Sequence, residues 1–239
     1  MTRIGPADRV RLIDALGEAQ RIGMLGAGDL SAAVEQSAGL AHLIPLSATS
    51  FVDLGSGGGL PGLVVALCRP DMTGTLVDRR GKRVDLLVRL IGRLGISDRI
   101  EALESDVADL PRQYPGRHWS VVTSRSFGQP GYTAEHAAPL VVTDGLLLVT
   151  EPPGSTGSRW QEDDVLMAGF TLTQVTDGVA VLRRLWLFHV EHLDRRPVTT
   201  NPCSTWNSVR DHPVEASVAQ AGWVPCGRPP SSQRYLSFP

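Results

Sequence analysis

Apolar residues recur at helical spacing from the start of the chain. Val10, Leu12, Ile13, Leu16, Ala19 and Ile22 predict a helix over residues 7–22, which Gly23, Gly26 and Gly28 interrupt. A second helix is predicted from Leu30 to Leu43, ending near Pro45. From residue 50 short apolar runs alternate with amphipathic ones. Strands are predicted at Phe51–Leu54, Thr73–Asp78, Arg99–Leu103, Ser120–Thr123 and Gly145–Thr150. Helices fall between them at Pro61–Cys68, at Lys82–Leu94 with its stripe of Val84, Leu87, Val88, Ile91 and Leu94, and at about residues 133–141. Residues 170–187 read as two further strands around the turn Thr176-Asp177-Gly178. This alternation predicts an α/β fold: a doubly wound, mainly parallel, seven-stranded sheet covered on both faces, with an N-terminal helical extension as a cap. The expected division is 1–45 for the extension, 46–188 for the sheet domain and 189–239 for a poorly ordered tail. Pro197, Pro202, Pro213, Pro225, Pro229, Pro230 and Pro239 punctuate that tail, and apolar periodicity is weak there.

Composition changes this picture little. A net charge of -2 does not mark a dedicated nucleic-acid binder, although a local basic patch remains compatible with it. Lys82 is the only lysine, which reads as coding bias. Cys68, Cys203 and Cys226 match no zinc spacing, so a reducing, cytoplasmic setting without a metal site is expected. Charged residues Arg3, Asp8, Arg9 and Arg11 precede any apolar run, so no signal peptide is expected. No apolar run reaches the ~20 residues of a membrane span.

The chemistry concentrates in the segment from Asp53 to Gly62, where Gly55, Gly57, Gly58, Gly59 and Gly62 form a turn between a strand and a helix. Such a turn lets a ligand approach bare backbone. Gly57, Gly59 and Gly62 also satisfy the dinucleotide pattern G-x-G-x-x-G, so a nicotinamide-type oxidoreductase stays open. Two features favour S-adenosylmethionine instead. Asp53 ends the strand, where a carboxylate attracts an ammonium group, and the turn starts early, at Gly55. Asp78 closes the second strand at the distance from Gly59 expected for a ribose-binding acid. Asp106, Val107, Ala108 and Asp109 follow the third strand. There they either read an adenine edge or, in the case of Asp106, cap a short helix.

The blocks DLGSGGGLPGL (53–63), LVDRRGKRVDLL (76–87) and VVTSRSF (121–127), with Asp71 after Arg69 and Pro70, resemble the RsmG (glucose-inhibited division protein B) family of bacterial 16S rRNA guanine-N7 methyltransferases. The resemblance covers about residues 50–150. It implies a class I methyltransferase, Rossmann-like fold and S-adenosylmethionine as cofactor, contacted by Gly55, Leu60, Val107, Ala108 and Arg125, with Asp78 and its neighbours at the ribose. It also implies 16S rRNA or the small ribosomal subunit as partner and a monomeric enzyme without membrane contact. Some positions depart from the family pattern. An Asn-Leu-Thr segment near the N-terminus is not found. Glu35-Gln36-Ser37-Ala38 stands where Arg-His precedes Asp/Asn-Ser/Cys, and Glu151-Pro152-Pro153-Gly154 stands where Lys-Gly follows strand five. The cofactor half therefore matches more fully than the substrate half.

Guanine N7 exposes a lone pair and needs no general base, so no catalytic acid/base pair is predicted. Arg79, Arg80, Lys82, Arg83, Arg89 and Arg93 cluster around the helix predicted at Lys82–Leu94. They read as a solvated face balanced by Asp78 and Asp85, with RNA phosphate contact as the alternative. The segment Phe188–His192 carries His189, Glu191 and His192 without a further ligand nearby. Its peptide is compatible with a palindromic coding sequence resembling a bacterial chromosome-partition site, in which case DNA rather than protein chemistry constrains it. The alternatives to ribosomal guanine methylation are a related methyltransferase with another substrate and a non-catalytic, ribosome-associated cofactor binder.

Overall fold

A computed structural model of the chain describes residues 4–152 and 154–185. The predicted tail at 189–239 and the Phe188–His192 segment lie outside the described residues. Helix α1 (Pro6–Arg21) starts with a proline, tolerated there because first-turn N–H groups have no partner in the helix. Helix α2 (Leu30–His42) is capped by Asp29, whose Oδ1 accepts the Ser31 amide at 2.8 Å. The strands are β1 (Ser50–Leu54), β2 (Thr73–Asp78), β3 (Ile100–Glu104), β4 (Trp119–Ser124), β5 (Val141–Thr150), β6 (Phe170–Thr176) and β7 (Val179–Arg184). Between them lie α3 (Gly62–Cys68), α4 (Gly81–Leu94), the single turn α5 (Leu110–Gln113), α6 (Pro130–Ala137) and the short α7 (Asp163–Met167).

The seven strands form one sheet in the order β3-β2-β1-β4-β5-β7-β6. Strands β1 to β5 run parallel, and β7 is antiparallel to both its neighbours. Period-two alternation puts Leu146 and Leu148 of β5 on one face, with Leu147 and Val149 on the other. On the first face Phe51, Leu76 and Val121 pack with α1 to α4 through residues such as Leu12, Leu40, Leu63 and Leu87. On the second, Val52, Leu54, Val77 and Val122 pack with Leu110, Ala134, Trp160 and Val165. Chain order reverses between the adjacent strands β1 and β4. In open α/β sheets that reversal opens a crevice at the carboxyl ends of the strands.

The turn between β6 and β7 places Asp177 and Gly178 at φ 50° and 69°, the pair of positive values that a two-residue hairpin needs. Buried Arg69 fixes the N-terminal helices to the sheet domain. Its Nη1 donates to the carbonyls of Ile44 and Pro45 at 3.2 and 3.0 Å, its Nη2 donates to Ala48 O at 3.0 Å, and Asp71 balances its charge at 2.7 Å. Three details differ from the sequence expectation. Strand β5 begins at Val141 rather than Gly145: Val142, Thr143 and Asp144 form an exposed first part of the strand, with Asp144 at φ 62°. Helix α6 covers Pro130–Ala137 rather than residues 133–141. The short helices α5 and α7 fall below the length at which periodicity is readable. Among the described residues no helix is long and apolar enough to cross a membrane.

Apolar packing, and not the ion pairs of Arg93 with Asp14 and Glu18, holds α1 to α4. Leu12→Ala, at a fully buried site, is expected to cost about 2–5 kcal/mol. Arg93→Ala, at exposed pairs, is expected to cost less than about 1 kcal/mol. Urea midpoints at constant slope check both, and equal losses would contradict this account.

Candidate active site

The first loop leaves β1, passes through Gly55, Gly57 and Gly59 at φ 66°, 53° and 105°, and enters α3. The left-handed backbone is a reason for glycine at these positions. At Gly55 space is a second reason, and at Gly62, whose backbone is not left-handed, space is the reason itself. A Cβ on Gly55 would lie 2.9 Å from the Phe127 ring, and one on Gly62 would lie 2.3 Å from Leu76 Cδ2 and 2.7 Å from Asp53 Oδ2.

Two carboxylates hold this loop from below. Asp53 is fully buried. Its Oδ2 accepts the Gly62 amide at 3.2 Å, and its Oδ1 accepts the Thr123 hydroxyl at 2.8 Å. Burial pushes its carboxyl up to about 6, opposed by hydrogen bonds from Ser56, Thr123 and Gly62 and reinforced by the nearby charge of Asp78. Asp78 is buried at the end of β2. Its Oδ2 accepts from the Gly57 amide at 3.0 Å and from Arg83 Nη1 at 3.2 Å, and its Oδ1 accepts the Arg80 amide at 3.0 Å.

Above the carboxyl ends of the strands lies a cavity of about 370 Å³. Gly55, Asp78 and Val107 line it, as do Arg79, Arg80, Arg83, Asp106, Ser126, Phe127 and Tyr132. Other predicted site residues lie elsewhere. Asp53 is not part of the lining; its contacts are with the loop and β4. Gly57 gives its amide to Asp78, and Gly59 gives its amide to Ser56 O at 2.7 Å. The Ala108 amide donates to Asp106 Oδ1 at 3.1 Å, so Asp106 caps the turn over Val107–Asp109 while its residue also borders the cavity. Leu60 and Arg125 meet at a smaller cavity of about 110 Å³ beside the Leu25–Ala33 segment. Arg125 also lines a third space of about 570 Å³, between α2 and the residues after β5.

Sequence reasoning missed several lining residues. Arg83 read as part of a solvated face, yet it borders the cavity, as do Arg79 and Arg80, which the resemblance put near the ribose as neighbours of Asp78. Arg89 and Arg93 do face outward, towards acids of α1. The readable signal was their offset: the first arginines follow Asp78 directly, before α4 has turned away from the strand end. Ser126 and Phe127 belong to the block VVTSRSF but received no role from it, and Tyr132 carries no pattern of its own. Phe127 and Tyr132 stack with ring centroids 5.6 Å apart and form one cavity wall.

The raised value of Asp53 sets a pH dependence. In the native state the group keeps a proton that the unfolded chain releases from its ordinary value of 3.8. The stability it contributes is therefore complete at low pH and is lost as pH rises through about 6, a span of roughly 3 kcal/mol. Asp53→Asn removes this decline. Urea midpoints between about pH 4 and 7.5 are expected to fall with pH in the wild type relative to the variant, and parallel curves would contradict the assignment.

A family model described as rRNA small subunit methyltransferase G matches residues 30–162, more than half of the chain. Proteins named ribosomal RNA small subunit methyltransferase G are similar to it. The one from Nocardioides sp. is 40% identical over 109 residues, covering 46% of this chain and 42% of that protein. The one from Kineococcus radiotolerans is 35% identical over 127 residues, covering 53% and 46%. The chain thus spans about half the length of the curated relatives it matches. Among solved structures, an O-methyltransferase family protein from Burkholderia thailandensis superposes with TM-score 0.51 at 19% identity, covering 74% of this chain and 59% of that one. A cofactor-bound protein from MTB does so with TM-score 0.56 at 16% identity, covering 74% and 89%. These likenesses establish the class I methyltransferase, Rossmann-like fold. The cyclase SpnF shares that fold too, with TM-score 0.52 at 19% identity over 72% of this chain and 76% of that one, so fold alone does not assign the reaction. The match running from α2 past β5 includes the glycine loop, Asp78 and Arg125, and on it the chain belongs to the rRNA small subunit methyltransferase G family.

Proposed function

We propose that this chain binds S-adenosylmethionine and transfers its methyl group to guanine N7 in the 16S rRNA of the small ribosomal subunit. The observation that carries the reading is the convergence of Gly55, Asp78 and Val107, from the ends of three neighbouring strands, on one cavity of about 370 Å³. The residues there fit the cofactor. Gly55 offers bare backbone that a Cβ would close off against Phe127. A carboxylate offers about four lone-pair sites, and three of those on Asp78 are engaged, which leaves an acceptor for a ribose hydroxyl. Val107 and Phe127 give apolar walls for a flat base, with Asp106 at the edge.

When bound, the cofactor supplies a methyl group on a positively charged sulfur. The protein's task is then placement. Attack is in line, with reacting atoms ~3–3.5 Å apart before the step. Transfer of that methyl group to N7 would release no proton, so the residues here would only have to hold donor and acceptor in place. No side chain is therefore required as a base. Arg79, Arg80 and Arg83 border the same cavity and bring positive charge beside Asp78, with Arg83 paired to its carboxylate at 3.2 Å. The reading carries with it a cytoplasmic, monomeric enzyme. A second reading, another acceptor on the same chemistry, is favoured by Gln36 and Glu151, which stand where the family pattern has different residues.

Asp78→Ala is expected to weaken S-adenosylmethionine binding about tenfold or more by calorimetry, since one charged hydrogen bond is worth about 1.5–3 kcal/mol. Purified wild-type protein is expected to add one N7-methylguanine to small subunits from a strain lacking the chain. Cofactor binding without transfer to any RNA would leave a binding protein, and NAD binding in place of S-adenosylmethionine would overturn the reading.

A further inference from the structure

We infer that the cavity of about 570 Å³ between α2 and the end of β5 receives the acceptor base, and that Gln36 helps determine which base is accepted. This assignment rests on the methyltransferase reading above. Ser126 places the two spaces side by side, because it lines both the cofactor cavity and this one. It does so at φ 54°, a conformation rare for a residue other than glycine, at the point where the chain leaves β4. A methyl donor in the first cavity and a nucleophile in the second would thus meet across a single residue.

The walls suit a flat heteroaromatic base. Ala32, Ala33 and Val149 are apolar and small enough to leave a slot, while Gln36 and Arg125 supply polar edges. Among the described residues Arg125 Nη1 is shut off from solvent without a hydrogen-bond partner. A buried donor in that state calls for an acceptor. Guanine offers O6 beside N7. A guanidinium gripping both atoms would consume the N7 lone pair, whereas a single donor to O6 leaves it free. Glu151 is not available to read the base, because Arg159, Ser155 and Trp160 occupy its carboxylate. Those bonds make it a fixed back wall. Its backbone carbonyl accepts from Gln36 Nε2 at 3.2 Å, which ties α2 to β5 across the cavity. The other polar atom of that amide is an acceptor, complementary to the ring N–H that guanine has and adenine lacks. The two stretches that depart from the family pattern, 35–38 and 151–154, therefore meet at one place, and they meet here.

Ala32 is exposed at the mouth, so Ala32→Trp fills the slot without disturbing the core. In the full chain this variant is expected to bind S-adenosylhomocysteine within about twofold of wild type while methyl transfer to unmethylated small subunits falls at least about tenfold. Gln36→Leu is expected to raise KM for the RNA about tenfold with the affinity for S-adenosylhomocysteine unchanged. Wild-type transfer rates in Ala32→Trp, or loss of S-adenosylhomocysteine binding in step with loss of transfer in either variant, would overturn the assignment. Failure of the wild type itself to bind S-adenosylhomocysteine would instead overturn the functional reading beneath it.

Discussion

The carboxylate of Asp78 is the point at which the site is assembled. It receives the amide of Gly57 from the first loop, the amide of Arg80 at the start of α4, and the guanidinium of Arg83 one turn later. A buried charge is tolerated only when such partners surround it. The same bonds that make Asp78 acceptable in the interior also fix the glycine loop at the distance from β2 that leaves a cavity. Asp53 works one layer below, joining the loop's far end at Gly62 to β4 through Thr123. Strands β2, β1 and β4 are thereby locked to one another at their carboxyl ends, where the order of the sheet reverses.

That arrangement separates residues that form the site from residues that hold it. Gly55 meets the cavity with bare backbone. Gly62 is constrained by Leu76 and Asp53 and belongs to the support beneath. Between them Gly57 and Gly59 hand their amides to Asp78 and Ser56. A glycine run that reads as one ligand-binding motif is in physical terms a mixture of contact, turn and packing positions.

Much of the fold was legible because it depends on short-range pattern. Short apolar runs located the five parallel strands, and Asp177-Gly178 announced the hairpin that joins the last two. Asp78 was legible from its place at a strand end. What was not legible depends on contacts between distant segments. Nothing local says that Gln36 on α2 reaches the carbonyl of Glu151, or that Arg125 faces a different space from Gly55. The carboxylate of Asp53 is the clearest case. A strand-end acid beside a glycine turn suggests a ligand contact. However, alternation places it on the face of Phe51, towards α3, where the loop itself takes up its oxygens.

The most direct test is the crystal structure of the chain with S-adenosylhomocysteine bound. The account predicts the ribose within hydrogen-bond distance of Asp78, the adenine beside Val107, and the Gly57 amide still on the same carboxylate. A nucleoside lodged between α2 and the end of β5, away from Asp78, would contradict it.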